Sequence, residues 1–349
     1  MIIKNVIVYT EDKKFTAGGI VVHDDKIESI YTTENVPDMP GEEVVDGQGA
    51  YAIPGLIDLH FHGCMGDDFC DNSKEAIENI AKYEASVGVT TIAPATMTLP
   101  VEKLEDILRT AAEYKKEQNP KGADLVGVNM EGPFISEKKK GAQNGAYLHA
   151  PDAAMFRRVQ AQANGLFKLC DLAPELPGAM QTIEELSGEV RISLAHTEAD
   201  YDTACEAFRR GARQVTHLYN AMPPFSHRAP GVIGAAFDSE NVAVELIADG
   251  VHIHPSVVRA VFTLFGGRVI LISDSMMATG LEDGEYSLGG QAVTVRGNLA
   301  TLHDGTIAGS ATNLMDCVRS AVRMGIPLGQ AVQAASTNPA RALGIEHDY

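Results

Sequence analysis

Apolar and polar positions alternate through residues 1–52 in short stretches, MIIKNVIVYT, GGIVVHDDKIESIY and GAYAI, set apart by Gly and Asp-Lys turn signals. Period-two alternation sends successive side chains to opposite faces of a strand, so this segment is expected to form a small β domain or one half of a sandwich. From Pro54 the pattern changes to short apolar runs separated by longer amphipathic stretches. Eight runs read as strands, at 56–61, 90–95, 125–130, 168–172, 190–195, 214–218, 242–248 and 268–273. Between them, 73–87, 101–116, 183–186 and 200–210 read as helices. Repeated strand–helix units predict a parallel sheet covered on both faces. Eight such units match an α/β fold of the (β/α)8 or TIM-barrel type, usually about 250 residues long. A doubly wound open sheet would call for a Gly-rich loop after the first strand, whereas this one ends in His60-Phe61-His62. Residues 285–309 return to hairpin-like alternation, an excursion from the last barrel loop, and 313–323 and 327–335 are again helical. The expected organisation is a small β domain over 1–52 and a barrel over 53–349.

The predicted barrel gives the ionisable residues a meaning. His60 and His62 end its first strand, Glu131 the third, His196 the fifth and Asp274 the eighth, while His217 lies in the sixth. The C-terminal strand ends of a barrel converge on one mouth, where barrel enzymes carry their sites. Histidines with a carboxylate suit a divalent metal, zinc first, with Fe, Mn or Co also accommodated. In His60-x-His62 both imidazoles fall on one face of the strand. A single histidine at a strand end is more often a structural or surface residue; all six positions converging on one mouth is what points to metal. Asp274 is placed to take a proton from water and pass it to a leaving group, or else to ligate the metal or cap the next helix. His252 follows the seventh strand at the same mouth, and 217–234 reads as a long functional loop carrying Arg228.

Charge narrows the partners. With 28 Lys and Arg against 47 Asp and Glu, the formal charge is −19. Such a polyanion is repelled by nucleic acid and by anionic membranes, so neither is an expected partner. An anionic substrate then needs local positive charge, for which Arg228 is suited by its bidentate guanidinium. Five cysteines without a C-x-x-C pair fit reduced thiols. The N-terminal apolar run is broken by Lys4 and Asn5, and no stretch approaches the roughly 20 apolar residues of a membrane span. The expected location is the cytoplasm.

Six motifs, HFHGCMGDD (60–68), NMEGPF (129–134), AHTEA (195–199), THLYNAMPP (216–224), ADGVHIHP (248–255) and ISDSMMATG (272–280), resemble those of the N-acetylglucosamine-6-phosphate deacetylases of the amidohydrolase superfamily. The likeness runs essentially the whole chain. It implies hydrolysis of N-acetylglucosamine 6-phosphate to glucosamine 6-phosphate and acetate, in a homodimer of a barrel plus a small β-sandwich. By motif it implies that Glu131, His196 and His217 hold the main metal. His60 and His62 match a second-metal pair bridged by Glu131, giving one or two ions per chain. Asp274 matches the catalytic carboxylate, and Asn220, Ala221, Arg228 and His252 match substrate contacts, with Arg228 on the phosphate and reaching across a dimer interface. Gln143 stands where many members have a histidine that polarises the amide carbonyl; an amide N–H still donates to a developing oxyanion. The chain stops at GIEHDY, where the family continues through closing strands of the sandwich, so a shortened sandwich is expected. Two other readings are a deacetylase of N-acetylgalactosamine 6-phosphate and a non-catalytic sugar-phosphate-binding protein on the same scaffold. The retained Asp274 favours catalysis over the latter.

Overall fold

The computed structural model describes residues 1–33 and 41–348. Four strands, Ile2–Tyr9, Phe15–His23, Lys26–Thr32 and Val44–Ala52, build one sheet in the order third, second, first, fourth. The first three pair antiparallel, and the fourth runs parallel to the first. Alternation divides its side chains: Val6, Val8 and Ile20 pack together, as do Ile2, Val21 and Tyr31. Ile27, Val44 and Tyr51 stay 64, 51 and 58% exposed. Among the described residues this segment is a single sheet, not two packed layers. Strand alternation says which residues share a face, but not whether a second sheet covers it. Tyr9 Oη ties the sheet to the rest of the chain by donating to the Gly329 carbonyl at 3.1 Å.

The barrel strands are Leu56–Asp58, Val89–Ile92, Asp124–Leu125 with Val128–Met130, Phe167–Leu172, Arg191–Leu194, Gln214–Val215, Ala243–Ile247 and Val269–Ile272. All neighbouring pairs are parallel and follow chain order. The third strand is interrupted at 126–127, and the bridge from Ala95 to Asn129 carries the pairing past the break. The ring closes where Asp274 N–H donates to His60 O at 3.0 Å and His62 N–H to Ser275 O at 2.7 Å.

Each strand is short and apolar because helices cover it outside and side chains fill it inside. Ile57, Leu59, Leu169, Ile247, Ile270 and Ile272 form the inner core, together with Ala340 and Leu343 of the helix Thr337–Leu343. Several of the covering helices begin at polar caps, and they turn an apolar stripe inward. Ser73 Oγ accepts from Ala76 N–H to open Lys74–Ser86, which buries Ala76, Ile77, Ile80 and Ala81. Asp200 caps Tyr201–Arg210 in the same way. Residues after the eighth strand form a three-stranded antiparallel sheet, Gly284–Leu288, Gln291–Arg296 and Leu299–Thr301.

Two expectations are corrected. His217 is not within the sixth strand, which ends at Val215; its backbone has already turned left-handed, at φ 28°. The long loop after it ends at Pro230, where the helix Gly231–Asp238 starts.

Candidate active site

The barrel places the candidate residues by a simple rule. His60, His196, His217 and Asp274 are each the second residue past a strand, and Glu131 directly follows one. Three of them have left-handed backbones: His196 at φ 44°, His217 at 28° and Asp274 at 50°. That conformation costs an L-residue about 1–2 kcal/mol. Strain of this kind concentrates where a side chain must be aimed against local preference.

Among the described residues, two sets of potential ligand atoms each lie within 4.8 Å of one another, Glu131–His196–His217 and His60–His62–Asp274. Glu131 joins them, one oxygen to each. Its Oε1 is 2.9 Å from His196 Nε2 and 3.4 Å from His217 Nε2. Its Oε2 is 3.2 Å from His62 Nε2 and 3.6 Å from His60 Nε2. Asp274 Oδ1 closes the second set at 3.5 Å from His62 Nε2 and 3.8 Å from His60 Nε2.

The donor set fits a divalent ion. His196 Nδ1 donates to the Lys139 carbonyl at 2.7 Å, and His60 Nδ1 to Glu245 Oε2 at 2.9 Å. With Nδ1 engaged in this way, each ring turns its Nε2 toward the cluster, the atom a neutral imidazole would offer to an ion, and His60 Nε2 is buried without a hydrogen-bond partner. Ligands at about 2.0–2.2 Å around a tetrahedral ion stand roughly 3.3–3.6 Å apart, close to the spacing of the Glu131, His196 and His217 atoms. With no ion between them, the rings and carboxylates of the cluster shift one another's protonation. Burial pushes His62 down, but its hydrogen bonds and charge interactions with Asp274 and Glu131 lift it to about 10. Burial likewise pushes Asp274 up, yet His62 and His60 hold it below the usual carboxylate range. Glu131 is held well below that range despite burial, by the charge of His60 and by hydrogen bonds from His196 and His217. Buried carboxylates held ionised in this way favour positive charge between them.

His62, Glu131, His196, His217 and Asp274 line a cavity of about 530 Å³, with His60 buried behind them. Gln143 lines it, donating from Nε2 to Glu131 Oε2 at 3.0 Å, while its Oε1 accepts from Thr98 N–H at 2.6 Å. The Gln291 amide of the late sheet donates to the Ala142 carbonyl and braces this loop. Asn220, Ala221 and His252 also line the cavity. His252 Nδ1 pairs with Asp249 Oδ2 at 2.7 Å, and although burial opposes it, that contact raises the imidazole.

A family model for the amidohydrolase family matches residues 51–349. The chain belongs to the amidohydrolase family. Among its relatives, the N-acetylglucosamine-6-phosphate deacetylase of Bacillus subtilis is 38% identical, the match covering 91% of this chain and 81% of that protein. The N-acetylgalactosamine-6-phosphate deacetylase of Escherichia coli O157:H7 is 33% identical, over 87% and 81%. The Mycobacterium smegmatis N-acetyl-D-glucosamine-6-phosphate deacetylase, solved as a mutant in complex with N-acetyl-D-glucosamine-6-phosphate, superposes with a TM-score of 0.92. That match is at 30% identity and covers 99% of this chain and 90% of the other.

Within this amidohydrolase one anticipated residue stands apart. Arg228 does not line the metal-side cavity; it borders a separate hollow with Glu198, Asp200, Tyr201 and Pro223. Arg228 is exposed, in the loop before the helix Gly231–Asp238. Conversely, Lys138, Lys139 and Lys140 line the cavity and were not singled out from the sequence. A run of three lysines in a chain of charge −19 was the available signal. Glu245, buried beneath His60, was missed as well; its signal was a carboxylate inside the apolar strand AVELI.

Proposed function

We propose that the chain hydrolyses the N-acetyl amide of N-acetylglucosamine 6-phosphate, giving glucosamine 6-phosphate and acetate. The observation that carries this reading is Asp274, a buried carboxylate 3.5 Å from His62 Nε2, beside a cluster that could hold a metal ion and open to a cavity of about 530 Å³. Glu131, His196 and His217 would hold one ion, zinc first and Fe, Mn or Co also suited, and His60 and His62 with Glu131 a second. When bound, such an ion supplies Lewis acidity and lowers the pKa of water.

The chain's own groups do the rest. Asp274 accepts the proton of the attacking water, then delivers it to the departing amine as the amide C–N bond breaks. Gln143 turns its Nε2 toward the cavity and donates to the carbonyl oxygen as charge develops there. Asn220, Ala221 and His252 contact the sugar phosphate, and Lys139 and Lys140 supply positive potential at the rim. Arg228 lies outside its own chain's cavity, so in a homodimer it serves the phosphate in the cavity of the second copy. The cytoplasm is the proposed location. In keeping with it, all five cysteines are free thiols, and no helix of the described residues is long and apolar enough to cross a membrane.

The test is acetate release from the 6-phosphates of N-acetylglucosamine and N-acetylgalactosamine, with and without a chelator. The glucosamine epimer is expected to be the better substrate, with activity lost on chelation and restored by zinc. Preference for the galactosamine epimer would transfer the assignment to the other relative's substrate. No release from either sugar after metal reconstitution would overturn the enzymatic reading.

A further inference from the structure

The geometry points to Glu245 as the positioning residue that sets how tightly the ion facing His60 and His62 is held, a role that rests on the reading above that both ligand sets take ions. Glu245 lies in the seventh barrel strand with no solvent exposure. Its Oε2 accepts from His60 Nδ1 at 2.9 Å and from the His217 backbone N–H at 3.3 Å. Its Oε1 accepts from Gln214 Nε2 at 2.5 Å. Gln214 Oε1 in turn accepts from Arg191 Nε at 2.7 Å. One carboxylate therefore touches a member of each ligand set and is anchored through the barrel interior to a guanidinium.

The polarity of this chain is fixed by its end. Arg191 has only donors, so the Gln214 oxygen must face it and the Gln214 NH2 must face Glu245. Glu245 then has acceptors alone to offer His60, which puts the ring proton on Nδ1 and the lone pair on Nε2. A carboxylate behind a ligating imidazole also raises its basicity. The two ligand sets depend on Glu245 unequally. His196 takes its orientation from the Lys139 carbonyl, and His217 meets Glu245 only through its backbone. In the other set, the imidazole of His60 has its shortest contact with Glu245.

Glu245→Gln keeps the volume and reverses this logic. With its oxygen toward Gln214, the new amide presents NH2 to His60 Nδ1, moves the ring proton to Nε2 and removes the lone pair that would ligate. Flipping the amide sets two NH2 groups against each other. The experiment strips the full chain with a chelator and titrates it with zinc by calorimetry, with elemental analysis for stoichiometry and circular dichroism for the fold. Wild type is expected to take two ions. Glu245→Gln keeps the first at near wild-type affinity and weakens the second by about 10–100-fold. Glu245→Asp, which keeps an acceptor, recovers part of that loss. Both ions bound as tightly as in wild type, or both weakened equally in a folded variant, would overturn the role.

If Glu245→Gln does not fold, Gln214→Met replaces it: it leaves the carboxylate on His60 but removes its anchor. Weakening of the second ion alone then supports the role, and unchanged binding overturns it. A wild-type chain that takes one ion overturns it too. In that case acetate release with the single ion would leave the proposed activity standing.

Discussion

Gln143 donates from Nε2 to Glu131 Oε2 at 3.0 Å, on the carboxylate oxygen that faces His60 and His62. The other end of the amide accepts from Thr98 N–H, so only one orientation satisfies both contacts. The NH2 is held toward the cavity, where a reacting carbonyl would need a donor. Gln143→Leu, similar in size but without a donor, is expected to lower kcat by about 10²–10³-fold. Gln143→His, which returns a ring N–H, should keep more activity than the leucine variant. Steady-state acetate release measures both, and an unchanged kcat in Gln143→Leu would remove Gln143 from the reaction.

Asp274 stands just past the eighth barrel strand, apart from the strands that present Glu131, His196 and His217, and in the proposed reaction it carries the water's proton. Asp274→Asn cannot accept the water proton and is expected to lose about 10²–10⁴-fold in kcat. The ion at Glu131, His196 and His217 should remain, as counted by elemental analysis. Near-normal turnover in a fully loaded variant would exclude Asp274 as the proton carrier.

Glu84 gives a pH-dependent prediction away from the site's chemistry. It is buried on the helix Lys74–Ser86, and neither carboxyl oxygen has a hydrogen-bond partner. Burial, then the charge of Asp58, pushes it well above the usual carboxylate range. The folded chain thus binds this proton more tightly than the unfolded chain does. Its contribution to stability is greatest below the ordinary glutamate value and falls as pH rises toward the folded value. One proton corresponds to about 1.4 kcal/mol per pH unit. Glu84→Gln removes that linkage, so between pH 5 and 7 wild type should lose stability more steeply than the variant. Denaturant unfolding at three pH values reads the two slopes, and equal slopes would mean that the buried carboxyl is ionised in the fold.

The eight strands were legible because a strand buried on both faces has to be a short apolar run, as in VILI at Val269–Ile272. The ligand candidates were legible because that same topology sends every strand end to one mouth. His217 was displaced from its expected element because a strand's end depends on where the backbone turns, and its left-handed φ leaves no mark in the hydrophobic pattern. The N-terminal segment was legible as a small β domain or one half of a sandwich, and no further, because alternation records faces and not the layers that cover them.

The sequence by itself determined the barrel, the family motifs and the chemistry available at its mouth, since these follow from residue type and spacing along one strand or turn. Only the tertiary structure decided how those groups are divided. It assigned one Glu131 oxygen to each ligand set, locked the Gln143 amide against Thr98, put Lys138–Lys140 on the cavity wall and Arg228 outside it, and set Glu245 behind His60. Glu245 and His60 are 185 residues apart in the chain. A hydrogen bond is directional over about 3 Å, and a contact of that reach between distant strands exists only once the barrel has closed.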